Sequence, residues 1–184
     1  QGACFPDLRR ESAASLTAAL LSEGGALYGT ATIGGAFFGG VVYKITTSGA
    51  FTKLRDFQGS DGSYPQGELI AGSDGLLYGT TFYGGTLSAG VAYRVSTDGS
   101  FFEMIHDFTW ADGANPRRAL VRGLDGLLYG AAGHGGQIGY GSLFRLSETG
   151  SSFQKLHDFD STSGSEPMGS LVLGQAMFTQ LKQE

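Results

Sequence analysis

Residues 76–108 read LLYGTTFYGGTLSAGVAYRVSTDGSFFEMIHDF. In the middle of this stretch Val91 and Tyr93 fall on one side of the chain, Ala92 and Arg94 on the other. A period of two marks a half-buried strand, whereas a helix needs apolar residues at every third or fourth position. Asp98-Gly99 separates this run from the next, and Ser73-Asp74-Gly75 and Asp112-Gly113 flank the unit. Asp-Gly supplies the positive φ that tight hairpin turns require. One unit therefore reads as four successive strands, centred near Leu69, Tyr78, Tyr93 and Ile105.

The same unit recurs on both sides. Leu-Tyr-Gly stands at Leu27–Gly29, Leu77–Gly79 and Leu128–Gly130, spaced 50 and then 51 residues apart. A glycine pair follows each time, at Gly34-Gly35, Gly84-Gly85 and Gly135-Gly136, and then an alternating run from Val41, Val91 or Ser142. Each copy closes on Asp-Phe, at Asp56-Phe57, Asp107-Phe108 and Asp158-Phe159. A proline and an apolar pair reopen the cycle: Pro65 with Leu69-Ile70, Pro116 with Leu120-Val121, Pro167 with Leu171-Val172. Four strands at this period match one blade of a β-propeller. Residues 11–21 have some helical tendency, but the repeat register puts Ala19-Leu20-Leu21 on a first strand, and we read strand there.

Composition narrows the class further. Glycine supplies 32 of 184 residues, more than twice the ordinary share of ~7%. With only 4 prolines and 41% hydrophobic residues, the chain is not a disordered Gly/Pro tract. The glycines lack the third-position period of collagen. The net charge of −5, with no cluster of Lys or Arg, argues against nucleic acid and anionic membrane as partners. No apolar run approaches the ~18 residues of a membrane-spanning helix. A single cysteine, Cys4, can close no internal disulfide and has no metal-ligand spacing around it.

With these elements the chain resembles the glycine-rich tandem-repeat family called GloVer. The resemblance rests on Asp-Gly-x-Leu-Tyr-Gly at Asp74–Gly79 and Asp125–Gly130, the glycine pairs, the alternating apolar runs and Leu-His-x-Phe at Leu156–Phe159, and it covers about residues 20–175. The first copy departs from the pattern, with Gly24-Gly25 for Asp-Gly and Arg55 for the histidine. The resemblance implies an open-ended array within a larger exported bacterial protein, extracellular or at the cell surface, with no general activity attached. The expected fold is all-β, a propeller-like array of about three and a half four-stranded blades. The blades are expected at 13–57, 66–108 and 117–159, with a partial one at 169–181, after an irregular segment 1–12 and before a non-repeat tail 175–184. A β-trefoil, built from three repeats of similar length, is the alternative. Three and a half blades leave two open sheet edges, so the expected state is a homo-oligomer that closes the ring, or a segment of a longer array.

A residue type repeated in every copy serves the blade, and one that breaks the pattern on a loop is a better functional candidate. On that basis Tyr28, Tyr78 and Tyr129, the glycine pairs, and Phe57, Phe108 and Phe159 are scaffold. Asp56, Asp107 and Asp158 are expected to satisfy backbone donors or to end their strands, and His106 and His157 share that outer position. If the first strand lines the channel, the links between blades and the loops after the second strands emerge at one end. That end carries Asp61, Tyr64, Asp112, Asn115, Ser163 and Glu166 on the links, and Tyr83 and His134 on the loops. Glu68 on one first strand stands against Arg117 and Arg118 on the next.

Asp61, Glu68, Asp112, Asn115 and Glu166 supply carboxylate and amide oxygens without a cysteine or histidine pair, a set that suits Ca²⁺ rather than zinc. His134, the one histidine outside the repeat pattern, is the candidate general base. Tyr64, Tyr83 and Trp110 could stack on a ligand. One functional expectation is then a Ca²⁺-dependent hydrolase of a small lactone or ester, the ion polarising the carbonyl. The other is a non-catalytic secreted or surface module that binds a small molecule, glycan or protein through the same loops. No Gly-x-Ser-x-Gly nucleophile elbow is present, and the glycine-rich stretches join strands rather than a strand to a helix, as a phosphate loop would.

Overall fold

A computed structural model of the chain describes residues 20–174. Among the described residues there is no helix, and the strands form three separate antiparallel sheets. The first runs in chain order through β1 (Leu21–Glu23), β2 (Ala26–Ala31), β3 (Val41–Thr46) and β4 (Phe51–Asp56). In the second, β5 (Ser63–Pro65) and β6 (Ile70–Ala71) both pair with β7 (Leu77–Tyr83), which continues into β8 (Val91–Val95) and β9 (Phe102–Asp107). The third repeats this with β10 (Ala114–Pro116), β11 (Val121–Arg122), β12 (Leu128–His134), β13 (Ser142–Leu146) and β14 (Phe153–Asp158). The architecture is a propeller-like array of blades. The segment 1–12, the strand reading over Ala19 and the tail 175–184 lie outside the described residues, while Leu21 opens β1.

One expectation is corrected. The inner strand is not a single run around Leu69 but two short pieces. Ser63–Pro65 and Ala114–Pro116, read from sequence as loop, are strands, with Pro65 opposite Thr81 and Pro116 opposite Ala132. Proline is tolerated there because the inner strand is a sheet edge with no further ladder to donate to. Glu68 and Leu69 lie in the gap between the pieces. The residue before each repeat proline adopts a left-handed backbone, φ 56° at Tyr64, 58° at Asn115 and 49° at Glu166. Its amide donates across to the preceding blade, to the carbonyls of Gly39 and Ala89 at 2.7 Å and of Tyr140 at 2.9 Å.

The core lies between blades. One cluster joins Tyr28, Val42, Leu54 and Phe57 of the first blade to Leu69, Leu77, Tyr93 and Val95 of the second. The next joins Tyr78, Ala92, Ile105 and Phe108 to Leu120, Leu128, Phe144 and Leu146 of the third. Each junction is built on the same three rings. Tyr93 and Phe102 stack at 5.7 Å, and Phe57 of the preceding blade meets them edge-on at 5.2 and 6.0 Å. Phe144 and Phe153 stack at 5.7 Å, and Phe108 meets them at 4.9 and 5.9 Å. A planar side chain covers the outer ring: the Arg55 guanidinium lies 4.1 Å from the Phe102 centroid, and the His106 ring lies parallel to Phe153 at 3.7 Å. Hydroxyls clasp the inner edge, Thr30 donating to the Gly67 carbonyl at 3.3 Å and Thr80 to that of Arg118 at 3.4 Å.

The loops are held by the strand-ending aspartates. Asp56, Asp107 and Asp158 accept from the amides of Ala36, Thr86 and Gln137, the residue after each glycine pair. Room for that carboxylate explains the second glycine: at Gly136, φ is +79° and a Cβ would stand 2.5 Å from Asp158 Oδ1. Burial alone would raise the Asp158 pKa, but the Lys155 ammonium and the Gln137 amide prevail and hold it below the usual carboxylate value.

At the opposite end of the sheets Glu148 ties the second blade to the third. It accepts from the Ser73 amide at 3.0 Å, the Ser73 hydroxyl at 2.6 Å and Arg122 Nε at 2.8 Å. Burial raises its pKa, but these donors outweigh burial and leave it lowered. A carboxylate with a depressed folded-state pKa contributes stability above its unfolded value, and that contribution is lost as pH falls through the folded one. Glu148→Gln should therefore cost about 1 kcal/mol at neutral pH, and the gap to the parent should close as pH drops below the carboxylate range. Urea melts across pH check this; a gap that persists at acid pH would remove the ionic part of the tie.

Candidate functional site

The β2–β3, β7–β8 and β12–β13 loops and the links between blades share one end of the array. Gly85 donates to the Gly59 carbonyl at 2.9 Å, and Gly136 to that of Trp110 at 2.8 Å, so loop and link are bonded together. This end holds the residues that the sequence singles out.

Most of its polar candidates are engaged locally. Asp61 accepts from the Gln58 amide at 2.7 Å with one oxygen and pairs with Arg55 through the other. Asp112 does the same with the Thr109 amide at 2.8 Å and His106 Nε2 at 3.2 Å. Ser163, at the equivalent place, accepts from the Asp160 amide at 2.9 Å. Asp61 and Asp112 thereby close the turns that lead into β5 and β10. Asn115 is 3% exposed, and its amide nitrogen donates to the Phe82 carbonyl at 2.7 Å. Glu68 and Glu166 are exposed. Among the described residues no three His, Cys, Asp or Glu side chains come close enough to hold one metal ion. Nor does Glu68 meet the arginines: Arg118 Nε donates to the Met168 carbonyl at 2.7 Å, and Arg117 lies 4.4 Å over the Phe82 ring.

His134 ends β12 opposite Ala114, and its Nδ1 is buried with no hydrogen-bond partner among the described residues. The aromatic candidates fare differently. Tyr64 and Tyr83 are brought together edge-to-face at 5.8 Å, both half-exposed, and Trp110 stands 52% exposed on its link.

The prominent surface at this end is one that the sequence reading passed over. The loop tips carry an exposed apolar residue in every copy, Phe37 at 56%, Leu87 at 51% and Ile138 at 56%. They stand two positions after each glycine pair, so aligning the three repeats on that pair finds them. The turns at the other end are built mainly from Ser73, Asp74, Ser96, Asp98, Asp125 and Ser147, with Leu124 and Phe101 exposed among them at no repeated position.

Blades of one repeated pattern that pack their apolar faces against their neighbours, and that carry their variable residues on loops at one end, define a tandem-repeat β protein. The model of the Gloeobacter/Verrucomicrobia repeat matches residues 8–179. The chain belongs to that repeat family. No curated protein matches it. Among the described residues no helix is long and apolar enough to cross a membrane.

Proposed function

We propose that the chain is a non-catalytic repeat module that binds a partner, protein or glycan, through its loop end. The observation that carries this reading is the recurrence of an exposed apolar side chain at the same loop position in every copy, Phe37, Leu87 and Ile138, whereas the turns at the other end are mainly Ser and Asp. Apolar side chains grouped on one face of a soluble domain mark an interaction surface, and tyrosine and tryptophan at its edge, here Tyr64, Tyr83 and Trp110, are the residue types enriched in such surfaces.

The hydrolytic reading would seat Ca²⁺ on Asp61, Glu68, Asp112, Asn115 and Glu166, with His134 as base. It is favoured by the unpartnered Nδ1 of His134. Against it stand the bonds of Asp61 and Asp112 to Arg55 and His106, which that ion would have to break. Two assays separate the readings. On glycan and peptide arrays, the triple variant Phe37→Ser, Leu87→Ser, Ile138→Ser is expected to lose binding at least tenfold while melting like the parent. On a panel of lactones and esters, no chelator-sensitive turnover is expected. Turnover that vanishes with chelator, returns with Ca²⁺ and drops in His134→Ala would replace the binding module with the hydrolase.

A further inference from the structure

The two outer faces of the array are the two halves of its internal junctions, and we propose that copies of this chain dock head to tail through them. The third blade presents Tyr129, Leu143, Leu156 and Phe159 on the side away from the second. Their counterparts in the first two blades, Tyr28, Val42, Leu54 and Phe57, then Tyr78, Ala92, Ile105 and Phe108, are all buried. Here Leu156 is 44% exposed and His157, equivalent to Arg55 and His106, is exposed without a ring of a following blade to cover.

Tyr129, Leu143 and Leu156, with Leu171–Leu173, line a cavity of about 250 Å³. At the internal junction the corresponding residues Tyr78, Ala92 and Ile105 are packed by Leu128, Phe144 and Leu146. The first-blade equivalents of those three are Leu27, Tyr43 and Ile45. Leu27 and Ile45 are half-buried where Leu128 and Leu146 are at most 1% exposed. Tyr43 stacks on Phe51 at 5.4 Å and 29°, the arrangement of Tyr93 on Phe102 at 5.7 Å and 28°. Phe51 is 44% exposed, while Tyr43 is 9% exposed. The pair that should receive a Phe159 is thus formed at one end of the chain, and Phe159 and His157 stand at the other.

The occupant is therefore a second copy, seated so that its Tyr43–Phe51 pair takes the place that Phe144–Phe153 takes on the second blade. Residues 171–173 are not part of any strand, whereas β1 has a register with β2, Leu21 opposite Tyr28. Residues 171–173 therefore yield to the incoming β1. Such an interface is heterologous, each copy using a different face, and it closes into a ring or extends according to the rotation it imposes.

Sedimentation velocity up to roughly 100 µM tests this with two variants, Phe51→Glu, which spoils one face, and Leu156→Glu, which spoils the other. The parent is expected to sediment as a dimer or larger. Each variant alone is expected to weaken association at least about 30-fold, the cost of losing a central interface side chain. A one-to-one mixture should form a dimer and nothing larger, because one good face remains on each partner. A parent that is monomeric throughout, variants that keep the parental assembly, or folded variants whose mixture stays monomeric would each overturn the proposal. Far-UV circular dichroism and melting establish folding; if a glutamate variant loses its transition, Phe51→Ser or Leu156→Ser replaces it under the same criteria. None of these readouts depends on the loop end.

Discussion

Phe108→Ala is expected to lower the unfolding free energy by about 3–5 kcal/mol, and Phe159→Ala, the same change at the same place in the next repeat, by no more than about 1. Phe108 is fully buried and meets both Phe144 and Phe153 of the following blade. Its removal leaves a hole walled by two stacked rings that cannot collapse without moving a sheet. Phe159 is only half-buried and its one ring contact among the described residues is with His157 of its own blade, at 5.1 Å. Phe57→Ala should match Phe108→Ala, since Phe57 is likewise buried against Tyr93 and Phe102. Urea denaturation of the three variants in dilute solution checks the series. Equal losses at Phe108 and Phe159 would mean that the ring stabilises its own blade and not the junction.

Gly136→Ala should cost about 2–4 kcal/mol. A left-handed backbone alone charges an alanine about 1 kcal/mol. Beyond that, the new methyl would stand 2.5 Å from Asp158 Oδ1 and 3.1 Å from the Gly141 carbonyl. The carboxylate would have to swing away from the Gln137 amide it accepts from at 3.0 Å, leaving a donor unpaired. Gly75→Ala is the control: its φ is +78°, nearly the same, but nothing lies within 4 Å of the added carbon, so about 1 kcal/mol is expected. Similar losses for the two would mean that backbone strain alone, and not the aspartate clamp, sets the demand for glycine.

Much of this architecture is legible in the sequence because the repeat is its own alignment. Leu-Tyr-Gly, the glycine pair and the closing Asp-Phe mark β7, its following loop and the end of β9, and the aspartates do meet the loop amides. The split inner strand is not legible, since Ser63–Pro65 and Ala114–Pro116 carry turn residues and a proline. They are strands only because β7 and β12 are long enough to offer them a second partner site. Asp61 and Asp112 read as ligands because their partners, Arg55 and His106, sit six residues earlier on another element. The trace was nonetheless present: where the aspartate gives way to Ser163, the pairing is absent, and the third blade lacks the threonine of the clasp too, with Ala131 in place of Thr30 and Thr80. Exposure of Phe37, Leu87 and Ile138 could not be read from composition, since the same residue types fill the core.

Because the two large apolar clusters each span one pair of adjacent blades, the middle blade takes part in both and each outer blade in one. Cooperativity in such a chain is a nearest-neighbour affair. Amide protons of β7 and β8 should therefore exchange only through the largest openings, and those of β14 through fraying that leaves the remainder intact. Length then acts as a stabiliser in its own right: every blade added in register contributes one more junction and converts a frayed end into an interior.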